Sequence, residues 1–423
     1  AVSFHDDGKM PARLRVRAEN LDLKNFSSLF PSAARHDPAG SLTADVGARG
    51  DFSDPSSLVW TGRVAFAGIS FIPWKQAALV SGLSGRAVFK NSRMDTSSFK
   101  GRFGRSEVLG QCSVEKWRDP KLACRMSAPA VYASDAGLVA DEGEVMFQNV
   151  RARFALDGDH FSVERLAAQT GKTTFTLAGD MPFDAGEEMT LSVSSPFIAS
   201  DDILRLAGLK PREGTSASSG PIRLAATVNA GRVTVGRTEL TNLKASLKLL
   251  DRRLDVNALT ADVAQGRVEA AGRIAFPPGA DNRYEASLSL ADVSIEEVQQ
   301  IMDLGDRVIT GRLSGKADLV ASGNDLDGIL KTLDGNLDAR AEKGMIRRFA
   351  VLSKIFSILN VSQLFRLKLP DMAKDGMPYT AMTGNFRLSA GVLSSENFLI
   401  DSNAMQISVL GRVDLINRTL DNI

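Results

Sequence analysis

The chain has 423 residues, and 51 Lys and Arg against 50 Asp and Glu leave a net charge of +1. That balance excludes a basic nucleic-acid binder and an acidic tail protein, and 43% hydrophobic with 24% charged residues is globular composition, not disorder. No apolar run reaches the roughly 18 residues of a membrane-spanning helix, and two Cys with three His are too few for a Cys/His zinc site.

The opening AVSFHDDGKM lacks the charged-then-apolar pattern of a signal peptide, so the chain reads as a piece of a longer one. Period-two alternation starts at once. Arg13–Glu19 (RLRVRAE) sets Leu14, Val16 and Ala18 against Arg13, Arg15, Arg17 and Glu19. This pattern marks a strand with one apolar and one wet face, as in antiparallel meanders. Asn25–Phe30 carries the first short helical spacing. The stretch Trp117–Lys121 (WRDPK) reads as a turn, flanked almost symmetrically by Cys112 and Cys124. The two thiols therefore face each other across a hairpin, either as a disulfide, which points to an oxidising compartment, or as two reduced thiols one register apart.

Asp157-Gly158, Ala230-Gly231 and Ala390-Gly391 are further turn signals. Asp201–Leu206, Ile295–Met302 and Asp327–Leu333 are short helix candidates. Strand alternation returns in Arg267–Ile274, Glu285–Leu290, Asn336–Glu342 and Gln406–Leu415. The best helix candidate is Arg347–Leu359, whose Phe349, Leu352, Ile355, Phe356 and Leu359 form one apolar stripe. That stripe either packs on sheet edges or touches a membrane or partner.

The segments Leu14–Leu29, Leu191–Leu204 and Leu288–Ile301 repeat one unit: a strand, a small break, then a short helix with an acidic or amide residue near its start. Glycines follow at Gly40, Gly50 and Gly62 in one copy and at Gly311, Gly323 and Gly335 in another. A second unit, Phe161–Gly179, Leu254–Gly272 and Leu393–Gly411, is strand, turn, strand. Repeated meanders continue one sheet. We divide the chain into modules 1–183, 184–279 and 280–423. Lys210–Pro221 (KPREGTSASSGP) is the segment closest to a linker.

No catalytic constellation emerges. Phosphate-binding glycine motifs are missing, and Gly82-Leu83-Ser84-Gly85 lacks the spacing of a nucleophile elbow. His5, His36 and His160 stand among turn residues. Asn324–Gly328 has two Asp two apart, and without further acidic ligands it reads as a helix start, not a calcium loop. The expectation is no enzyme, no cofactor and no metal. The apolar side of the strands is expected to comprise Leu14, Val16, Phe154, Leu156, Leu247, Leu249, Val268, Ile274, Leu288, Leu290, Leu337, Phe386, Leu388, Ile407 and Val409. Few helices are available to cover it. Either two sheets pack as a sandwich or the apolar face stays an open trough. An aromatic content of 6% favours the trough.

The repeat at Leu14–Leu29 and Leu288–Ile301, the Gly311, Gly323, Gly335 ladder with LDGILKTLDG inside it, and above all Gly344–Phe365 followed by Met377–Leu415 resemble the AsmA-like superfamily of Gram-negative envelope proteins, of the AsmA, TamB and YhdP type. The resemblance covers essentially the whole chain, weakly between Gly68 and Glu142. It implies a mainly β fold: an elongated, repetitive antiparallel sheet curved into an open U-shaped hydrophobic groove, with a few short helices. It also implies a periplasmic protein held to the inner membrane by an N-terminal helix outside this sequence. Its partners would be phospholipids and the inner and outer membranes or proteins in them, with no nucleic acid. The implied activity is phospholipid transport across the periplasm, tails shielded in the groove. At ~4.8 Å per strand, roughly 25 strands would give on the order of 120 Å of groove. The alternative is a scaffold or assembly factor for outer-membrane proteins.

Overall fold

The computed structural model describes residues 11–27, 36–51, 54, 58–91, 93–115, 121–140, 143–183, 186–212, 222–301, 309–347, 376–403, 405–414, 416 and 419–421. The helix expected at Arg347–Leu359, with Phe349, Leu352, Ile355, Phe356 and Leu359, lies outside them beyond Arg347, as does most of the expected turn Trp117–Lys121. The chain divides at Pro221/Ile222 into two compact units, and each is mainly β.

In the first unit the alternating segments form β1 (Pro11–Asp22), β2 (Ala39–Asp51), β3 (Val59–Phe71), β4 (Val80–Lys90), β5 (Arg93–Thr96), β6 (Phe99–Phe103), β7 (Ser106–Glu115) and β8 (Lys121–Tyr132). After the two-residue β9 (Leu138–Val139) come β10 (Met146–Asp157), β11 (His160–Thr170), β12 (Thr173–Pro182), β13 (Met189–Ala199) and the short β14 (Lys210–Pro211). Every pairing is antiparallel, and the long ladder runs through β1 to β4 in order, then β7, β8 and β10 to β13. Between β4 and β7 the partner strand is split into β5 and β6. The split falls at Ser97, whose backbone N–H and hydroxyl both donate to the Arg86 carbonyl. β9 and β14 form a separate small ladder.

The second unit is a simpler meander of β15 (Arg223–Val235), β16 (Thr238–Leu250), β17 (Arg253–Val263), β18 (Gly266–Ala275), β19 (Arg283–Ser294), β20 (Arg312–Ser322), β21 (Asp334–Ile346), β22 (Met377–Ser389), β23 (Val392–Asp401), β24 (Gln406–Asp414) and β25 (Thr419–Asp421). Each strand pairs with the next, antiparallel throughout. The turns at Asp157-Gly158 and Ala390-Gly391 are present, Gly158, Ala390 and Gly391 all at positive φ. Ala230-Gly231 is not a turn. β15 runs straight through it, with Ala230 opposite Leu243 and Arg232 opposite Thr241, and the chain reverses later at Gly236.

The small break in the repeated unit is a β-bulge. Register slips at Asn20, Gly68, Gly82, Asn149, Asn242 and Asp292, and all six sit at positive φ. Asn, Asp and Gly are the residues that tolerate this backbone, and each bulge bends its strand and increases its twist. At three of them a hydroxyl one strand over accepts the freed N–H: Asn20 to Thr43, Gly68 to Ser84 and Asp292 to Ser314. The short helices Leu23–Ser27, Ser200–Ala207 and Ile295–Ile301 follow the break, and Leu326–Lys331 links β20 to β21. The acidic residue at two of these helix starts has a structural task. Buried Asp202 accepts from Thr173 N–H and hydroxyl and from Lys172 N–H, and Glu296 accepts from Gly311 N–H. Each carboxylate thus pins its helix to strand-end backbone.

Within the second unit Ile295, Ala341, Ile346, Met377, Tyr379, Met382, Ile400 and Ile407 form a closed core under the helix Ile295–Ile301. The buried Tyr379 hydroxyl donates to the Thr310 carbonyl at 2.5 Å. Burial, aided by Glu296, pushes its pKa up to about 12. A raised folded-state pKa means stability that is complete below the ordinary tyrosine value of about 10 and is lost as pH rises toward 12. Tyr379→Phe is expected to cost about 1–2 kcal/mol at neutral pH. It should also remove the part of the alkaline loss between about pH 10 and 12 that comes from this group. Urea midpoints measured against pH for both proteins check this.

Candidate functional site

In each unit the alternation becomes cross-strand rows. Antiparallel register puts apolar residues opposite apolar residues, so one face of the sheet is apolar from strand to strand. In the first unit one row runs Val16, Val46, Gly62, Phe89, Met94, Val114, Leu122, Leu156, Phe161, Met181. The next contains Cys112, Cys124, Phe154, Val163, Gly179 and Leu191. Cys112 and Cys124 are joined, with an S–S distance of 2.07 Å and Cα atoms 4.2 Å apart. They are directly opposite on β7 and β8, so the disulfide staples two strands under the apolar face.

Beside Phe154 the face deepens into an apolar cavity of about 370 Å³, lined by Trp74, Leu83, Phe99, Phe103, Val131 and Val150 among others. Phe99 reaches across to Gly85 and Gly110, where an added Cβ would lie 2.8 and 2.4 Å from its atoms. Small residues there make room for the ring. Leu14 and Val16 are exposed at 45% and 46%, while Phe154 and Leu156 are half-buried.

The second unit carries the same design. One row runs Val228, Ala245, Leu259, Ala270, Leu288, Ala317, Leu337, Phe386. Another runs Ala226, Leu247, Val256, Gly272, Ala286, Leu319, Gly335, Leu388. Leu249 pairs with Leu254, which pairs with Ile274. Val268 pairs with Leu290, which faces Gly315. Leu247, Leu249, Val268, Ile274, Leu288, Leu290, Leu337, Phe386 and Val409 are all half-buried. Side chains of this size inside a two-layer core would be buried. Leu388 and Ile407 are different, at 6% and 2% exposure: Ile407 fills the closed core described above and offers no surface.

Large and small alternate along the first of these rows. Leu259, Leu288 and Leu337 stand two strands apart, about 10 Å, with Ala270 and Ala317 between them. The face is therefore corrugated, with shallow apolar slots between leucine ridges and no charged side chain in the row.

The opposite face carries the charged side chains, and many of them stand beside an opposite charge on a neighbouring strand. Arg15 makes two hydrogen bonds to Asp45, at 2.7 and 2.6 Å, and these hold the Asp45 carboxyl below the usual carboxylate range. In the second unit Asp255 lies between Arg253 and Arg273, and Arg273 also reaches Glu285; the Arg273 hydrogen bond lowers the Asp255 pKa. Among the described residues no cluster of three or more His, Cys, Asp or Glu is placed to hold a metal. Nor is any described helix long and apolar enough to cross a membrane. His36 and His160 serve structural contacts, to the Ile72 carbonyl and to Asp180, and His5 lies outside the described residues. Asp325 caps the helix Leu326–Lys331 by accepting from Gly328 N–H.

Sequence reading missed more than half of the residues in each row. Val46, Val114, Leu122, Phe161, Val256 and Leu319 were all visible as alternation, but only the register joins them to their neighbours. Turning to similarity, a family model described as YhdP protein matches residues 209–422, half of the chain. Among curated proteins and among solved structures, no match to the chain was found.

Proposed function

The chain belongs to the YhdP family of AsmA-like envelope proteins, and from that premise we propose that it is a lipid conduit, carrying phospholipids with their acyl tails against the apolar face and their headgroups in water. The single observation that carries this reading is the face itself: unbroken apolar rows, in register over successive strands, whose large side chains stay half-exposed. A protein that needed only stability would cover them.

The physical role is shielding. Each tail methylene kept from water is worth about 0.8 kcal/mol, so two long tails represent roughly 20 kcal/mol of exposure avoided. A face with no charged side chain in its rows lacks a point of strong attachment, which lets a lipid move from slot to slot. The wet face opposite keeps the sheet compatible with an aqueous compartment. We place that compartment in the periplasm, between inner and outer membranes. The disulfide Cys112–Cys124 supports an oxidising location. The reading assigns no chemical step to any residue.

A photoreactive phenylalanine analogue at Leu288, on the apolar row, is expected to crosslink to phospholipid in cells. The same analogue at exposed Ser287, on the opposite face, should not. Equal labelling from both positions contradicts the reading.

A further inference from the structure

On the wet face of the first unit one row sets three arginines opposite one another on successive strands, a longer run of like charge than the Arg13–Arg49 pair of β1 and β2. Two rungs away on the same face, Arg93 pairs with Glu115, and Lys121, opposite Glu115, pairs with Asp157. The next rung but one along these strands reads Gln111, Arg125, Arg153, Arg165, each directly opposite the next on β7, β8, β10 and β11. Arg151, two residues before Arg153 on β10, adds a fourth guanidinium on the same face. All four arginines are exposed, and among the described residues none of their side chains makes an ion pair or hydrogen bond. Glu164, next to Arg165 in the chain, is exposed and forms no ion pair with them.

Like charges directly opposite on neighbouring strands are destabilising. The same unit shows that acidic partners fit at such positions, so the unbalanced row needs another explanation. The four side chains, with Gln111 and Ser127, line one depression of about 600 Å³. Cross-strand neighbours stand about 5 Å apart, close enough for two guanidinium forks to grip one phosphate group and for the others to take a second. Arginine is suited to this, because its planar donors match phosphate oxygens in pairs.

We propose that Arg125, Arg151, Arg153 and Arg165 form a phosphate-binding site on the face opposite the apolar rows. Its ligand is a phosphate group or closely spaced phosphates, borne by an anionic lipid headgroup or by a free polyphosphate. The site does not rest on the conduit reading, since it uses the other face.

Arg153→Glu tests it, because this change restores the alternating pattern Arg, Glu, Arg found elsewhere. It should fold at least as stably as wild type, yet weaken phosphate binding by about tenfold or more. Arg153→Lys, which keeps the charge, should lose less. One arm titrates tripolyphosphate and follows the thermal midpoint. The other sediments the protein with vesicles of phosphatidylcholine alone or of equal parts phosphatidylcholine and phosphatidylglycerol. Binding of either probe that Arg153→Glu weakens supports the site. Tripolyphosphate alone identifies a free ligand, and phosphatidylglycerol vesicles, bound in preference to phosphatidylcholine, identify a headgroup. Binding that Arg153→Glu leaves unchanged, or no binding of either probe to wild type, overturns it.

Discussion

Leu290→Asp should stop phospholipid transfer while leaving the chain folded. Leu290 lies on β19 between Val268 and Gly315, in an apolar row that continues to Ala261 on one side and Ala339 on the other. It is half-buried, so in the empty protein a carboxylate there still reaches water. The stability cost is then the partial loss of one leucine's burial, about 1–2 kcal/mol. Lipid passage changes this balance. A tail lying over position 290 would strip water from the carboxylate, and burying an uncompensated polar or charged group costs several kcal/mol. About 3 kcal/mol added to the barrier is roughly a hundredfold in rate. Leu290→Ala, which stays apolar, should transfer at nearly the wild-type rate. Fluorescent-lipid transfer between vesicles, with circular dichroism as the fold control, checks both variants. A folded Leu290→Asp protein that transfers lipid normally would remove the apolar row from the pathway.

Gly335→Val should destabilise the second unit strongly. Gly335 opens β21 at φ +156°, and a Cβ would lie 2.1 Å from the Asp318 carbonyl oxygen and 3.0 Å from a Leu319 methyl carbon. The nearest obstacle is backbone on the paired strand, which cannot move without breaking the ladder. Strained φ and overpacking each cost of order 1–3 kcal/mol, so a combined loss of about 3 kcal/mol or more is expected. Gly279, at φ +70° with no atom within 4 Å of an added Cβ, is the control: Gly279→Ala should lose only about 1 kcal/mol. Urea midpoints decide. If Gly335→Val unfolds at the wild-type midpoint, the close approach of β20 and β21 is not a constraint on the fold. Gly62 in the first unit meets the Asp45 carbonyl in the same way, with a Cβ distance of 2.3 Å.

Much of this architecture was legible because antiparallel strands with one wet face write their geometry into the chain. RLRVRAE and EASLSL can bury only one side, and the structure pairs them accordingly in β1 and β19. The repeated break between strand and helix was also visible, but its nature was not. Asn20 and Asp292 look like ordinary polar residues until their positive φ shows that each is the bulge of its strand. Ala230-Gly231 misled for the related reason that a glycine inside a strand, opposite the bulge at Asn242, reads like one at a turn. Site residues were partly legible. Leu288 and Ile407 share the same alternation, yet one lies on an open face and the other in a closed core. Helix placement decides between them, and no local pattern carries that information. The arginine row was invisible for a similar reason: Arg125, Arg153 and Arg165 are far apart in the chain and meet only through the register of β8, β10 and β11.

The most direct test of the central claim is lipid mass spectrometry on the wild-type protein, purified in gentle detergent and washed extensively, beside a β-protein with a filled core. Several phospholipids retained per chain, and none on the control, is the expected result. A well-folded protein that carries no lipid would contradict the open apolar face as a lipid path and favour a scaffold role in its place.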